Sequence, residues 1–326
     1  MTRIRFVTTV PRVTDPSRAT STALEVVRWS DDIDVDGVLL FTGAGAVLDP
    51  WIGAATVVAR SRRLAPVVAL NPMYTHPFAA ARSLLSITQA HGRRVDLNLI
   101  TGAALSELHA IGDELDHRER YARLLEYTEL FVQLLDGDPV DFEGRFYRAR
   151  GLQLRPAVPA ESRPLMYLAG RSDDARATAA ALGATLMGMP DAAGVPEGLG
   201  AVNVGVIARA DAQEAENVAA QVFPPDEVGR EVLRISMANT DSVWKQALAE
   251  AREDVASPIR LTPFHSAQSD CPYLVGDHET VAKHISWMAE RGVRTFVLDT
   301  PVSREDFDHL AVVVERSRAL CEEKTG

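Results

Sequence analysis

Two short stretches hold the residues best able to do chemistry. In "ELDHRERY" (114–121) an acid, a histidine, two arginines and a tyrosine crowd what reads as a helix start. Asp116 stands three residues before Glu119, the spacing of a capping box, which gives both a structural role. His117 and Tyr121 are left over. Four residues apart, they share one helical face, beside backbone N–H groups that have no intrahelical acceptor and the positive end of the helix dipole. Such a place suits a phosphate, and it equally suits a solvated helix entrance. "YLAGRSDDA" (167–175) repeats the theme. Gly170 permits close backbone approach, Arg171 adds a cation, and Ser172 can cap a helix whose dipole Asp173 and Asp174 complement.

Two histidines are candidates for proton transfer. His76 precedes Pro77, where it either steers protons or fixes the turn. His265 lies in a polar loop, as an acid/base or as a surface residue. Asp270 and Cys271 are lesser candidates. The eight histidines form no HxH or HExxH pattern, so no metal site is expected. The two cysteines, Cys271 and Cys321, are far apart and imply no disulfide framework.

The elements that must position these residues follow from alternation. β-branched or apolar runs at 4–10, 36–43, 65–71, 94–102, 164–170, 184–189, 201–210 and 294–300 read as strands, each followed by a helical pattern. The helix from Asp116 carries an apolar stripe at Tyr121, Leu124, Leu125, Thr128, Phe131, Val132 and Leu135. A hairpin-like stretch (141–156) follows it. Residues 211–256 read as polar and helical, and 257–276 as an irregular loop. Eight strands alternating with helices predict an α/β fold, a (β/α)8 TIM barrel, with its chemistry where strands end and helices begin. A doubly wound sheet would want a glycine-rich first turn, and "PRVTDPSRAT" has no GxGxxG. One barrel domain over 1–326, with about 211–272 inserted before the last helix–strand unit, is expected.

Lys plus Arg total 34 against 45 Asp plus Glu, and the resulting −11 argues against nucleic acid or anionic membrane as partners. No apolar run reaches the roughly 20 residues of a membrane span, and the N-terminus reads as a strand rather than a signal peptide. A cytoplasmic protein is expected.

"LNLITG" (97–102), "DHRERY" (116–121), "DFEGRFY" and "LMYLAGRSDDA", in that order, resemble the motifs of bacterial-luciferase-like flavin monooxygenases, nearest to the alkanesulfonate monooxygenase branch. "YTHPFAAAR" (74–82) and "LVGDHETVAKHI" (274–285) match as well, and the match is weakest over 211–272. The resemblance implies a barrel that binds reduced FMN (FMNH2) from a separate NAD(P)H:flavin reductase and uses O2 as co-substrate, as a homodimer or tetramer. It places Thr42 and Asn71 at polar flavin contacts after the second and third strands. Thr101, His117, Tyr121 and Ser172, with Gly170 and Arg171, fall near the flavin or its phosphate.

The departures fall on the substrate side. The alkanesulfonate branch has a cysteine after the second strand, where this chain reads "TGAGAVLDPW". That branch carries an arginine and a histidine on the seventh strand, where Asn203 and Gly205 stand here. It has a further arginine in the loop before "LVGD", and 264–273 holds none. A sulfonate wants cationic, preferably bidentate partners. The expectation is therefore an FMNH2- and O2-dependent monooxygenase of a small organic, non-sulfonate substrate, with specialised metabolism as its setting. The alternatives are an F420-dependent oxidoreductase on the same barrel and a non-catalytic flavin-binding relative.

Overall fold

The computed structural model describes residues 3–10, 16–43, 46, 48–191, 194–254, 257–299, 301 and 303–324. Residues 11–15, where a doubly wound sheet would want its glycine-rich first turn, and residues 44, 45 and 47 of the small-residue stretch after the second strand lie outside them. The chain forms two compact units, residues 39–186 and residues 1–38 with 187–326.

The segments expected as strands are β1 (Arg5–Thr9), β2 (Gly37–Leu40), β3 (Ala65–Leu70), β4 (Asp96–Leu99), β7 (Met166–Ala169), β8 (Thr185–Gly188), β9 (Ala201–Arg209) and β12 (Thr295–Asp299). The expected hairpin is β5 (Val140–Glu143) paired antiparallel with β6 (Arg148–Leu152). In the large sheet the order runs β9-β12-β1-β2-β3-β4-β7-β8, and β8 pairs back onto β9. This closed order of eight strands is that of the (β/α)8 barrel.

In the unit 39–186 the helices are α2 (Pro50–Arg60), α3 (Pro77–His91), α4 (Leu105–Ala110), α5 (His117–Leu135) and α6 (Asp173–Leu182). Helix α5 buries a wider face than the expected stripe. Tyr127, Leu130 and Leu134 join Tyr121, Leu124, Thr128, Phe131 and Leu135, while Leu125 and Val132 are only half-buried. The short α4 has no side-chain cap, and its six residues lack the periodicity by which longer helices are recognised.

In the other unit the helices are α1 (Pro16–Asp32), α7 (Ala212–Val222), α8 (Glu227–Ala238), α9 (Val243–Glu250), α10 (Thr262–His265), α11 (His278–Glu290) and α12 (Arg304–Glu323). Phe6 of β1 stacks on Phe296 of β12 at 5.6 Å, and the Arg318 guanidinium of α12 lies over the Phe6 ring. Thr8 meets Ser30 of α1 at 2.7 Å. Alternation then puts Val7 and Thr9 on the opposite face of the sheet from the helices, with their register partner Val297 and with Asp299.

The expected irregular loop at 257–276 is corrected. It contains β10 (Ile259–Arg260), α10 and β11 (Tyr273–Asp277). β11 runs parallel to the second half of β9, from Tyr273 opposite Gly205 to Asp277 opposite Arg209. β9 is nine residues long, and β12 pairs only with Ala201–Gly205. Its remaining backbone groups need partners, and β11 supplies them.

Candidate functional site

In the unit 39–186 the candidates gather at the C-terminal ends of β3, β4 and β7. The capping box forms as expected: the Glu119 N–H donates to Asp116 Oδ1 at 2.8 Å, and the Asp116 N–H to Glu119 Oε2 at 3.2 Å. Arg145 also donates to Glu119, and this bond first, then the Asp116 N–H, holds the Glu119 carboxyl below its usual range. Asp116 and Glu119 thus build the helix start.

His117 and Tyr121 reach elsewhere. His117 Nε2 lies 3.1 Å from Ser172 Oγ, and its ring is 5.1 Å from that of Tyr121. Ser172 caps α6 by accepting from the Ala175 N–H at 3.2 Å. Two helix entrances that follow different strands therefore touch through side chains. The buried Tyr121 ring brings its hydroxyl against Gly170. A Cβ at Gly170 would stand 2.6 Å from that oxygen and 2.7 Å from Ala175 Cβ, so the close approach needs glycine. The half-buried Arg171 lies between Gly170 and Ser172.

Asn71 and Thr101 are buried at the ends of β3 and β4. Asn71 Oδ1 accepts from the Met73 N–H at 3.0 Å and closes the turn after β3. Its amide nitrogen is 3.3 Å from where a Cβ of Gly102 would be, and Gly102 holds φ +86°. Thr42 is half-buried past the end of β2. His76 caps α3, with Nδ1 accepting from the Phe78 N–H at 3.2 Å. Its ring edge also meets Tyr147 at 5.9 Å.

Sequence reasoning missed the charged pair beneath this cluster. Arg123 donates to both oxygens of Asp113, at 3.1 and 2.6 Å, and to Met73 Sδ at 2.7 Å. Both residues are buried, and their ten-residue separation matches no helical or turn spacing. Tyr127 and Tyr147 were also missed. They pack edge to face at 5.6 Å. Burial pushes Tyr147 up to about 12, and burial, then Tyr147, pushes Tyr127 higher.

In the other unit, polar groups gather at the ends of β1, β9 and β12. Gly205 is opposite Asp299 in β12 and Tyr273 in β11. The Tyr273 ring fills the space over Gly205, where a Cβ would meet three ring atoms at 2.3–2.4 Å. Its hydroxyl donates to Asp299 Oδ2 at 2.8 Å, Thr9 donates to Oδ1 at 3.0 Å, and Ser269 approaches Oδ2 at 3.4 Å. Burial raises the Asp299 carboxyl above the usual range, opposed first by the Tyr273 hydrogen bond. Burial, then Asp299, likewise drives Tyr273 well up. Cys271 is sealed, and burial raises its thiol well above normal, which makes it filler rather than a nucleophile. His265 ends α10, with Nε2 3.1 Å from the Leu248 carbonyl, and lines a cavity of about 490 Å³ with Arg230, Glu253 and Ser266. Arg260, the cation nearest in sequence to the arginine-free stretch, is tied to Glu216 and the Ser257 carbonyl. Among the described residues no group of three or more His, Cys, Asp or Glu could hold a metal ion.

Residues 2–196 match the family model described as luciferase-like monooxygenase. The chain is 30% identical over 312 residues, 90% of each chain, to a 4-(gamma-L-glutamylamino)butanoyl-[BtrI acyl-carrier protein] monooxygenase of Niallia circulans. Among solved structures it resembles the oxygenating constituent of 3,6-diketocamphane monooxygenase from Pseudomonas putida, a type II Baeyer-Villiger monooxygenase in complex with FMN. That match has a TM-score of 0.73 and 13% identity, covering 98% of this chain and 99% of that one. An F420-dependent secondary alcohol dehydrogenase in complex with an F420-acetone adduct matches with a TM-score of 0.68 and 16% identity, covering 97% and 99%.

Proposed function

Because the chain belongs to the luciferase-like monooxygenase family and is a flavin-dependent monooxygenase, we propose that it works as a two-component enzyme. On this reading it takes reduced FMN from a separate NAD(P)H:flavin reductase and oxygenates a small organic, non-sulfonate substrate with O2. The carrying observation is the contact between His117 and Ser172, which joins the entrances of α5 and α6. The residues present fit a flavin phosphate. Ser172 and the first N–H groups of α6 would hold it, with His117, Tyr121 and Arg171 beside them, and Gly170 leaves the backbone open to approach. Thr42, Asn71 and Thr101 offer polar contacts at three strand ends.

When bound, reduced FMN supplies the electrons that activate O2. The chain's share is to bind, to orient and to exclude water. Of the two histidines expected to move protons, His76 is the better placed, because its ring meets Tyr147 in the same unit as the flavin candidates. The ring of His265 is held among the inserted helices.

The non-sulfonate reading is supported by Asn203 and Gly205 on β9 and by the engagement of Arg260 with Glu216. A single barrel domain over 1–326, a cytoplasmic location and a homo-oligomer belong to the same proposal. No helix of the described residues is long and apolar enough to cross a membrane.

An F420-dependent oxidoreductase is the second reading, since the F420-dependent alcohol dehydrogenase shares the fold. Oxygen uptake separates the two. We expect the purified chain to consume O2 when a reductase or a chemical reductant supplies reduced FMN, and not to oxidise NAD(P)H alone. Bleaching of F420 without FMN-dependent oxygen uptake would replace the first reading with the second.

A further inference from the structure

The acceptors on β9 and β12 point to the chemical class of the substrate, and the inference rests on the reading above. Three residues stand in register across β12, β9 and β11: Asp299, Gly205 and Tyr273. Side chains at paired positions of parallel strands share a face. Gly205 contributes none, so the Tyr273 ring lies over it and its hydroxyl reaches Asp299 from the far strand at 2.8 Å. Thr9, the last residue of β1, donates to the other oxygen at 3.0 Å. The carboxyl is thus oriented by hydroxyls from both sides, at the C-terminal end of its strand, where barrels of this kind place their chemistry. Asp299 itself is half-buried, enclosed without being sealed.

Asn203 lies two residues before Gly205, opposite Val297, and so on the same face. Its side-chain oxygen is buried and has no hydrogen-bond partner among the described residues. A buried acceptor left unpaired costs about 1–3 kcal/mol, and a ligand that donates to it recovers that cost. A partly buried carboxylate is stabilised by an incoming cation for the same reason. The polar groups of this cluster are the hydroxyls of Thr9, Ser269 and Tyr273, the Cys271 thiol, the Asn203 amide and the Asp299 and Asp270 carboxyls.

We infer that Asp299 and Asn203 form a recognition site for a substrate that presents an ammonium group, with Tyr273 and Thr9 positioning the Asp299 carboxylate. The site lies wholly within the unit made of residues 1–38 and 187–326. It takes a donor, and it repels the anionic head group of a sulfonate.

The test uses three probes with one alkyl chain, n-hexylamine, n-hexanol and n-hexanesulfonate, titrated onto the full chain by calorimetry with and without FMN. The wild type should bind hexylammonium at least tenfold more tightly than hexanesulfonate, with hexanol between them. Asp299→Asn should abolish that preference. Tyr273→Phe keeps the ring over Gly205 and removes one hydroxyl, so it should reduce the preference about threefold, and it stands in should Asp299→Asn fail to fold. Hexylammonium bound no better than hexanesulfonate by the wild type overturns the inference, as does a preference that stays at its wild-type size in the folded variants. Because the binding ratio is read without turnover, its failure is distinguishable from a failure of FMN-dependent oxygen uptake.

Discussion

The polar clusters of the two units differ in kind. In residues 39–186 the groups at the strand ends are donors at helix starts: His117 beside Ser172, the Tyr121 hydroxyl against Gly170, and the first N–H groups of α5 and α6. In the other unit they are acceptors at strand ends: the Asp299 carboxyl under its hydroxyls and the Asn203 amide oxygen. Helix N-termini carry partial positive charge and suit a phosphate. Strand ends carry little dipole of their own, so side chains alone set the preference there. On the proposed reading, the donor cluster serves a cofactor and the acceptor cluster selects a substrate.

The largest expected effect is all or none. With reduced FMN supplied, octanesulfonate should release no sulfite above background, because Asn203 and Gly205 offer a sulfonate no cation and Arg260 is held by Glu216. Sulfite at roughly 1 per second or more, an enzymatic rate, would erase the contrast between the clusters. Next is the support of the donor cluster. Asp113→Ala strips the buried Arg123 of its carboxylate and should lower unfolding free energy by about 3–5 kcal/mol in denaturant titration. A loss under about 1 kcal/mol would show that Arg123 finds another partner. Gly170→Ala drives a methyl into Tyr121 and Ala175 and should cost about 1–3 kcal/mol. Wild-type stability in this variant would mean that the close approach is not required.

A smaller effect sharpens the acceptor side. Burial raises the Asp299 pKa in the folded chain above its unfolded value. Its contribution to stability is then fully present below the ordinary carboxylate range, near about 4, and is lost as pH rises through the raised value. Asp299→Asn should therefore remove part of the stability lost as pH rises above the ordinary carboxylate range, so that Tm for the variant gains on the wild type as pH rises. Parallel Tm profiles would place Asp299 in a solvated setting.

The donor cluster was legible because its signals are local. Capping residues three apart, a His–Tyr pair four apart and a glycine just past a strand can each be read within one turn. The alternation that gives the eight barrel strands is legible for the same reason. The acceptor cluster was not, since it depends on register. Nothing in "YLVGD" says that Tyr273 will lie opposite Gly205, because that pairing exists only once the second half of β9 needs a partner. Asp299 was passed over as the end of a strand. Asp113 and Arg123 escaped for a related reason: the turn between α4 and α5 brings them together, and no periodicity records it.

Anaerobic titration of reduced FMN tests the central claim most directly. Ser172→Ala and Tyr121→Phe should each weaken binding by about 1 kcal/mol, roughly fivefold, while Arg234→Ala, which breaks an exposed ion pair on α8, should leave it unchanged. Titration curves for Ser172→Ala and Tyr121→Phe that superimpose on the wild type would contradict the placement of the flavin phosphate at the joined entrances of α5 and α6.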